Sequence, residues 1–243
     1  MNAPSRRAPQ AAAKAAQRVD FALARQEQER LRQLVRLEDQ AGEVRLADGK
    51  VRLVAGVDAA HDSVSGMTRA AAVLLALPGL ELVDQAVVQG PTPFPYVPGY
   101  LSFREADLMV AALHRLAQRP DAVVCDGQGA AHPRGFGLAC HVGVLANLPA
   151  VGVAKSRLCG EFDEPGPLRG DRAPLVFRGR VVGMVLRTRS HVKPVFVSPG
   201  HLMGLERAAE LALELAPRFR LPESTRLADR LASFTHPFPA AAS

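Results

Sequence analysis

The sequence predicts an α/β fold: a mixed central sheet that opens with an antiparallel three-strand meander and is flanked by helices. Three observations predict it. Short apolar runs of strand length begin at Val51 and recur as far as Ser198. The first three follow one another without an intervening helical pattern, as in a meander. From Phe103 onward, apolar runs alternate with segments whose apolar residues repeat at helical spacing, which is the signature of an α/β layer.

Taken in order, Phe21 to Glu38 has the charge density of a surface helix. Val51 to Asp58 reads as a strand ending in a carboxylate, Ala70 to Leu77 as a second, and Leu82 to Val88 as a third after a Pro78-Gly79 turn. Pro91, Pro93, Pro95 and Pro98 then fix a stiff, extended loop around Phe94, Tyr96 and Val97, because each proline sets its own φ and restricts its predecessor. A helix follows, with Phe103, Ala106, Val110, Leu113 and Ala117 on its core-facing stripe and Arg104, Asp107, Arg115 and Gln118 elsewhere. Ala122 to Asp126 is a buried strand and Gly127 to Gly137 a glycine-rich loop. A helix over Phe136 to Asn147 leads into the strand Ala150 to Ala154. Further strands are Leu175 to Phe177, Val181 to Leu186 and Val195 to Ser198, with Arg178-Gly179 as a turn, before helices near Met203 to Leu215 and Glu223 to Ser233.

Composition narrows the class. At 243 residues, 48% hydrophobic and 22% charged, the chain is neither fibrous nor wholly disordered, and it is long enough for a sizeable core. Without internal repeat or linker, it reads as one domain over residues 19–235. The Ala/Arg/Pro stretch of residues 1–18 reads as a flexible basic tail, with an organellar presequence as the alternative, and residues 236–243 as a C-terminal tail. The net charge of +6 resembles a nucleic-acid footprint until it is located. Arg6, Arg7, Lys14 and Arg18 precede the first acid, Asp20, and +6 less these four leaves only +2. No apolar run reaches the roughly 18 residues that span a bilayer, and no secretory h-region opens the chain, so a soluble, cytoplasmic protein without membrane contact is expected. Cys125, Cys140 and Cys159, odd in number and without CxxC spacing, read as reduced core thiols.

Several residues are candidates for chemistry. Asp58 and Asp126 each close an apolar strand, and the carboxyl ends of strands are where open α/β sheets bind ligands. If the strands are neighbours, two hard oxygen ligands converge in a manner suited to Mg²⁺ or Mn²⁺; the alternative is ordinary turn chemistry at Asp126-Gly127. Glu105 follows Ser102 by three residues, the spacing of a capping box, and is otherwise a third carboxylate able to hold a water. The loop from Asp126 to Arg134 matches neither a dinucleotide fingerprint nor a Walker motif, although its glycines would let a flat base approach the backbone. Lys155 is one of four lysines in an arginine-rich chain, so either an ammonium is required there or it is a solvated strand-end lysine. Lys155-Ser156 also admits a Ser–Lys hydrolase, without the support of a GxSxG elbow. His201, in Ser198-Pro199-Gly200-His201, is either functional or a structural helix-start histidine.

Together, the block around Asp58, Pro95-Tyr96-Val97-Pro98-Gly99 leading to Ser102-Phe103-Arg104-Glu105, and Asp126-Gly127-Gln128-Gly129 with His132-Pro133-Arg134 closely resemble the endonuclease V family. Gly152 to Leu158, Ser198 to His201 and Thr225-Arg226-Leu227-Ala228-Asp229 extend the resemblance in the same order, from about Phe21 to Ser233. The resemblance implies a ribonuclease-H-like fold and a divalent-metal nuclease. Such an enzyme recognises deoxyinosine, or inosine in RNA in some members, and nicks 3′ to the lesion at the second phosphodiester bond to initiate repair. It implies metal-binding roles for Asp58 and Asp126, with Mg²⁺ as cofactor and Mn²⁺ as a substitute. Further active-site roles fall to Glu105, Lys155 and His201. Tyr96, flanked by Pro95, Val97 and Pro98, matches a strand-separating wedge, and Gly127, Gly129 and His132 match the base pocket. The partner expected is DNA with deaminated bases, bound by a monomer.

Overall fold

The computed structural model describes residues 21–38 and 51–235; the two tails expected at residues 1–18 and 236–243 lie outside the described residues. The chain runs α1 (Phe21–Arg32), β1 (Leu53–Asp62), β2 (Met67–Ala76), β3 (Glu81–Pro91), α2 (Ser102–Leu113), β4 (Ala122–Cys125) and α3 (Leu138–Ala146). It continues with β5 (Ala150–Ala154), β6 (Arg172–Phe177), β7 (Arg180–Leu186), β8 (Val195–His201), α4 (Leu205–Glu214) and α5 (Glu223–Ala232). The strands form one sheet in the order β3-β2-β1-β4-β5-β8-β7-β6. β1, β4 and β5 are parallel and every other pairing is antiparallel, so the expected opening meander is present within a mixed sheet.

Helices cover both faces because the strands are apolar on both. On one face Ala55 and Val57 of β1 and Val123 and Cys125 of β4 pack against Met109 and Leu113 of α2 and Leu138 and Val142 of α3. On the other, Val54, Val124, Val151 and Val197 pack against Ala208, Leu211 and Leu215 in and beside α4. α5 crosses β1 and β2 on this second face, with Ala228 against Val73 and Leu75. Each large aliphatic buried in this way contributes on the order of 1.5–3 kcal/mol. Among the described residues no helix is long and apolar enough to cross a membrane.

Four expectations are corrected. β1 does not end at Asp58 but continues to Asp62, because β2 pairs with it as far as Asp62↔Met67. α2 stops at Leu113, leaving Ala117 exposed beyond it rather than on its buried stripe. Cys125 and Cys140 are buried free thiols, whereas Cys159 is only half-buried, in a loop after β5. The Ser102/Glu105 capping box is not formed. Leu101 occupies the cap position without a side-chain hydrogen bond, and Ser102 is the first residue of the helix.

One close approach sets the position of α5. A Cβ at Gly56 would lie 2.2 Å from the backbone carbon of Ser224, so α5 reaches β1 only because residue 56 has no side chain. Gly56 and Asp58 share a strand face, and Ser224 and Asp229 share the helix. Gly56→Ala is therefore expected to destabilise the fold by about 1–3 kcal/mol, the usual cost of overpacking, in urea unfolding monitored by circular dichroism. An unchanged midpoint would show that α5 is free to shift.

Candidate active site

The site is made by a strand that ends early. β4 pairs in parallel with β1 from Val54↔Ala122 to Val57↔Cys125 and then stops, while β1 runs on along β2. Asp58 and Asp126 each lie one residue past that last pair, at a notch in the sheet where side chains from both faces can meet. Asp58 accepts the Ala59 N–H at 2.8 Å. Burial, and next the charge of Asp126, raise its pKa to about 8; the Ala59 hydrogen bond opposes the rise, and Asp229 and Glu105 add to it. Four carboxylates thus share one electrostatic neighbourhood.

Cations and dipoles partly answer them. Lys155, one residue past β5, places Nζ 2.5 Å from Asp126 Oδ2, with the lysine side chain 50% exposed and the aspartate 14%. Burial alone would lower the Lys155 pKa, but the hydrogen bond and charge of Asp126, with Asp58 and Asp229 beyond, raise it on balance. The ammonium is therefore turned to Asp126, which removes the basis of a Ser–Lys pair with Ser156. Glu105 is 7% exposed and meets His61 Nε2 at 2.7 Å. His61 Nδ1 in turn contacts Thr68 Oγ1 at 2.7 Å, and Thr68 contacts Thr92 Oγ1 at 2.8 Å, a chain that fixes the imidazole across β1, β2 and the end of β3.

Beside this cluster lies a pocket of about 290 Å³, whose lining includes Tyr96, Val97, Pro98, Gly127 and His132 together with Asp126 and Lys155. Tyr96 is 68% exposed at its rim rather than packed in the core. The loop that carries it is anchored by Phe94, 5.7 Å from Phe21, 6.0 Å from Tyr100 and 5.9 Å from Phe103 between ring centroids. The Gly99 carbonyl accepts from Gln28 Nε2 of α1 at 3.2 Å and from Arg134 Nη2 at 2.5 Å, joining this loop to the glycine-rich one. Burial, then the nearby Arg134 charge, hold the His132 pKa down at about 4. Its ring is therefore neutral, and Nδ1 accepts the Arg134 backbone N–H at 3.2 Å.

A family model described as Endonuclease V matches residues 29–230. The chain belongs to the endonuclease V family. It is 56% identical to the endonuclease V of Nocardia farcinica over 178 residues, 73% of this chain and 78% of that protein. The crystal structure of endonuclease V from Streptomyces avermitilis superposes with a TM-score of 0.82 at 44% identity, covering 88% of this chain and 92% of that one. A Ciona intestinalis endonuclease V, solved with a 24mer DNA containing an inosine followed by a ribo-adenosine, superposes with a TM-score of 0.73 at 28% identity, covering 87% and 95%. The fold shared with these endonuclease V structures is ribonuclease-H-like.

Not every residue marked from the sequence reaches the site of this endonuclease V chain. His201 pairs with Ala150 at the start of β5, whereas Lys155 follows its end. Five residues of strand, roughly 16 Å at about 3.3 Å each, separate the two levels. His201 instead packs on α3 and takes the Arg36 N–H on Nδ1 at 3.4 Å. Gly129 does not line the pocket: its N–H donates to Ser198 Oγ at 2.8 Å, and a Cβ there would meet the Pro199 carbonyl at 2.2 Å, so this glycine serves loop-to-β8 packing. Pro95 is likewise outside the lining and acts through loop stiffness.

Two residues escaped the sequence reading. Asp229 ends the Thr225-to-Asp229 block that carried part of the resemblance, and it adjoins the buried stripe of Thr225, Ala228 and Ala232; its proximity to Asp58 depends on where α5 docks. His61 had no local signal, since its role follows from a helix that reaches it 44 residues later.

The raised Asp58 pKa has a stability consequence whose sign is fixed. The folded chain holds this proton up to about pH 8, while the unfolded chain releases it near the ordinary 3.8. This group's contribution is therefore fully present below about pH 4 and lost as pH rises through about 8. In buffer with chelator, the melting temperature is expected to fall from pH 5 to pH 8.5, with Asp58→Asn flattening the fall. Equal slopes in both proteins would contradict the burial of an uncompensated carboxylate.

Proposed function

We propose that this endonuclease V chain is a divalent-metal-dependent endonuclease that recognises deoxyinosine in DNA and nicks the strand on its 3′ side, at the second phosphodiester bond, as the first step of repair. One observation carries the reading: the pocket and the carboxylate cluster share Asp126 and Lys155, so a base held in the first brings its own backbone to the second. At about 290 Å³ the pocket is at the small end of the ~300–1,000 Å³ range of ligand sites, the scale of one base. The Ciona relative bound to inosine-containing DNA supports the choice of base.

Among the described residues no three His, Cys, Asp or Glu side chains form a ready-made metal cage. The donor set nevertheless suits a hard cation, because Asp58 lies among acids whose mutual repulsion a bound cation would relieve. Asp58 and Asp126 would hold Mg²⁺, with Mn²⁺ as a substitute, and such an ion supplies a water of lowered pKa and charge neutralisation at phosphate. Glu105, steadied by His61, would accept a hydrogen bond from the attacking water. Lys155 would turn from Asp126 toward the phosphate or the leaving oxygen. Tyr96, exposed on a stiff, aromatic-anchored loop, would enter the base stack; extrusion costs a few kcal/mol, least for a weakly paired base, which favours a deaminated one.

Inosine in RNA is the second reading, favoured by the ribo-adenosine that follows the inosine in the Ciona complex. Matched DNA and RNA oligonucleotides, each with one inosine, separate the two readings. In DNA, one nick 3′ to the inosine with Mg²⁺ and none with chelator is expected; cleavage confined to RNA would move the substrate class, and cleavage of neither would overturn the assignment. Asp58→Ala and Asp126→Ala, folded by circular dichroism, are each expected to lose at least about 10²-fold in nicking rate. Full activity in either would remove that residue from the chemistry.

Tyr96→Ala tests the wedge separately. Inosine-over-adenine discrimination is expected to fall while affinity for undamaged duplex, set by phosphate contacts, changes little. Unchanged discrimination would return Tyr96 to an incidental surface position.

A further inference from the structure

We infer that a second groove, outside the base pocket, holds the sugar-phosphate backbone of the lesion strand on the 5′ side of the recognised base. The inference rests on the inosine-nuclease reading and extends it to a surface not yet assigned.

The groove encloses about 920 Å³ between α1 and the β6–β7 hairpin. Arg25 and Arg32 line one wall and Arg178 and Arg180 the other, all four exposed. Among the described residues none of Arg32, Arg178 and Arg180 has a carboxylate within ion-pair distance. Arg25 faces Glu29 at 3.6 Å, but both are more than half exposed, a geometry that contributes little. Guanidiniums confronting one another across a channel repel, and a polyanion threaded between them removes that repulsion. Val35 and Val182 add apolar lining, which suits a strand whose bases are unstacked better than a free anion. The basic segment of residues 1–20 is the wrong occupant by charge, since it holds four basic residues against one acid.

Continuity fixes the direction. His132 lines both cavities, while Asp126 and Lys155 line only the base pocket. A strand leaving the pocket past Asp126 and Lys155 carries the bond to be cut, which lies 3′ of the base. The strand leaving past His132 is then the 5′ flank, and it enters the groove. Arg134 also lines the groove, but its guanidinium is tied to Gln28 and to the Gly99 carbonyl, so it braces the groove wall.

The test is equilibrium binding in chelator by fluorescence anisotropy, using single-stranded deoxyinosine oligonucleotides with a long or a very short 5′ flank and a fixed 3′ flank. Wild type is expected to bind the long-flank oligonucleotide about tenfold or more tightly than the short one. Arg32→Ala/Arg180→Ala is expected to bind both alike, at the wild-type short-flank affinity, which also shows that it is folded. Its salt slope on the long flank should fall by roughly 1.4, about 0.7 for each phosphate that the variant no longer neutralises. An unchanged slope and affinity in the double variant, or a loss that follows 3′-flank length instead, would overturn the groove assignment. Nicking of the deoxyinosine strand by wild type with Mg²⁺ is measured beside it, so absence of nicking strikes the parent reading while the binding data judge the groove on their own.

Discussion

Repulsion among carboxylates is the constraint around which this member of the endonuclease V family is organised. Asp58 is half-buried beside Asp126, with Asp229 and Glu105 close enough to oppose its ionisation. Such a set persists only because each member is held by an element stabilised elsewhere: β1 between β2 and β4, α2 on the first face of the sheet, α5 on the second. The rigid core imposes the cluster, and the cluster in turn demands positive charge. Lys155 meets part of that demand at Asp126, and His61 gives Glu105 a hydrogen-bond partner. The repulsion left at Asp58 is the physical ground on which the proposed divalent cation rests.

The pocket follows from a different balance. Its two loops are irregular, and irregular backbone needs partners for its carbonyls. The Gly99 carbonyl finds Gln28 and Arg134, so α1, the proline-rich loop and the glycine-rich loop are bound at one point. The ring cluster beneath Phe94 supplies the apolar support on which that point rests. Rigidity of this kind is what allows Tyr96 to remain exposed without the loop collapsing onto its own aromatic residues. The same connection brings α1 alongside the glycine-rich loop, and with it Arg25 and Arg32 on one wall of the second groove.

Much of this was legible in the sequence, for identifiable reasons. Strands such as Ala150–Ala154 announce themselves because both faces are buried and the run is short and uniformly apolar. Asp58, Asp126 and Lys155 were legible because each interrupts or follows such a run. The Glu105 position was legible and its local reading was wrong: Ser102 and Glu105 have capping-box spacing, but the helix starts on Ser102 itself and the carboxylate turns to His61. The motif that contains His201 misled for a related reason. It marks a stretch of backbone that braces the glycine-rich loop, Ser198 supporting Gly129 and Pro199 abutting it, and its histidine is at the far end of the adjoining strand. Asp229 and His61 were not legible, because both act through contacts between elements distant in the chain.

The short length of β4 connects these points. Had β4 run as far as β1 does, its residues would pair with Asp58 through Asp62, and the two faces of the sheet would stay separate along that line. Side chains on opposite faces of an intact sheet do not meet. Because β4 stops at Cys125, Asp58 and Asp229 from the α5 face and Glu105 and His61 from the α2 face border one opening. The glycine-rich loop begins at that same stop, so the place where the sheet gives out is also where the pocket starts. A single early strand end thus juxtaposes an acidic cluster and a cavity of about 290 Å³, and the proposed reading of one base beside a cutting site rests on that juxtaposition.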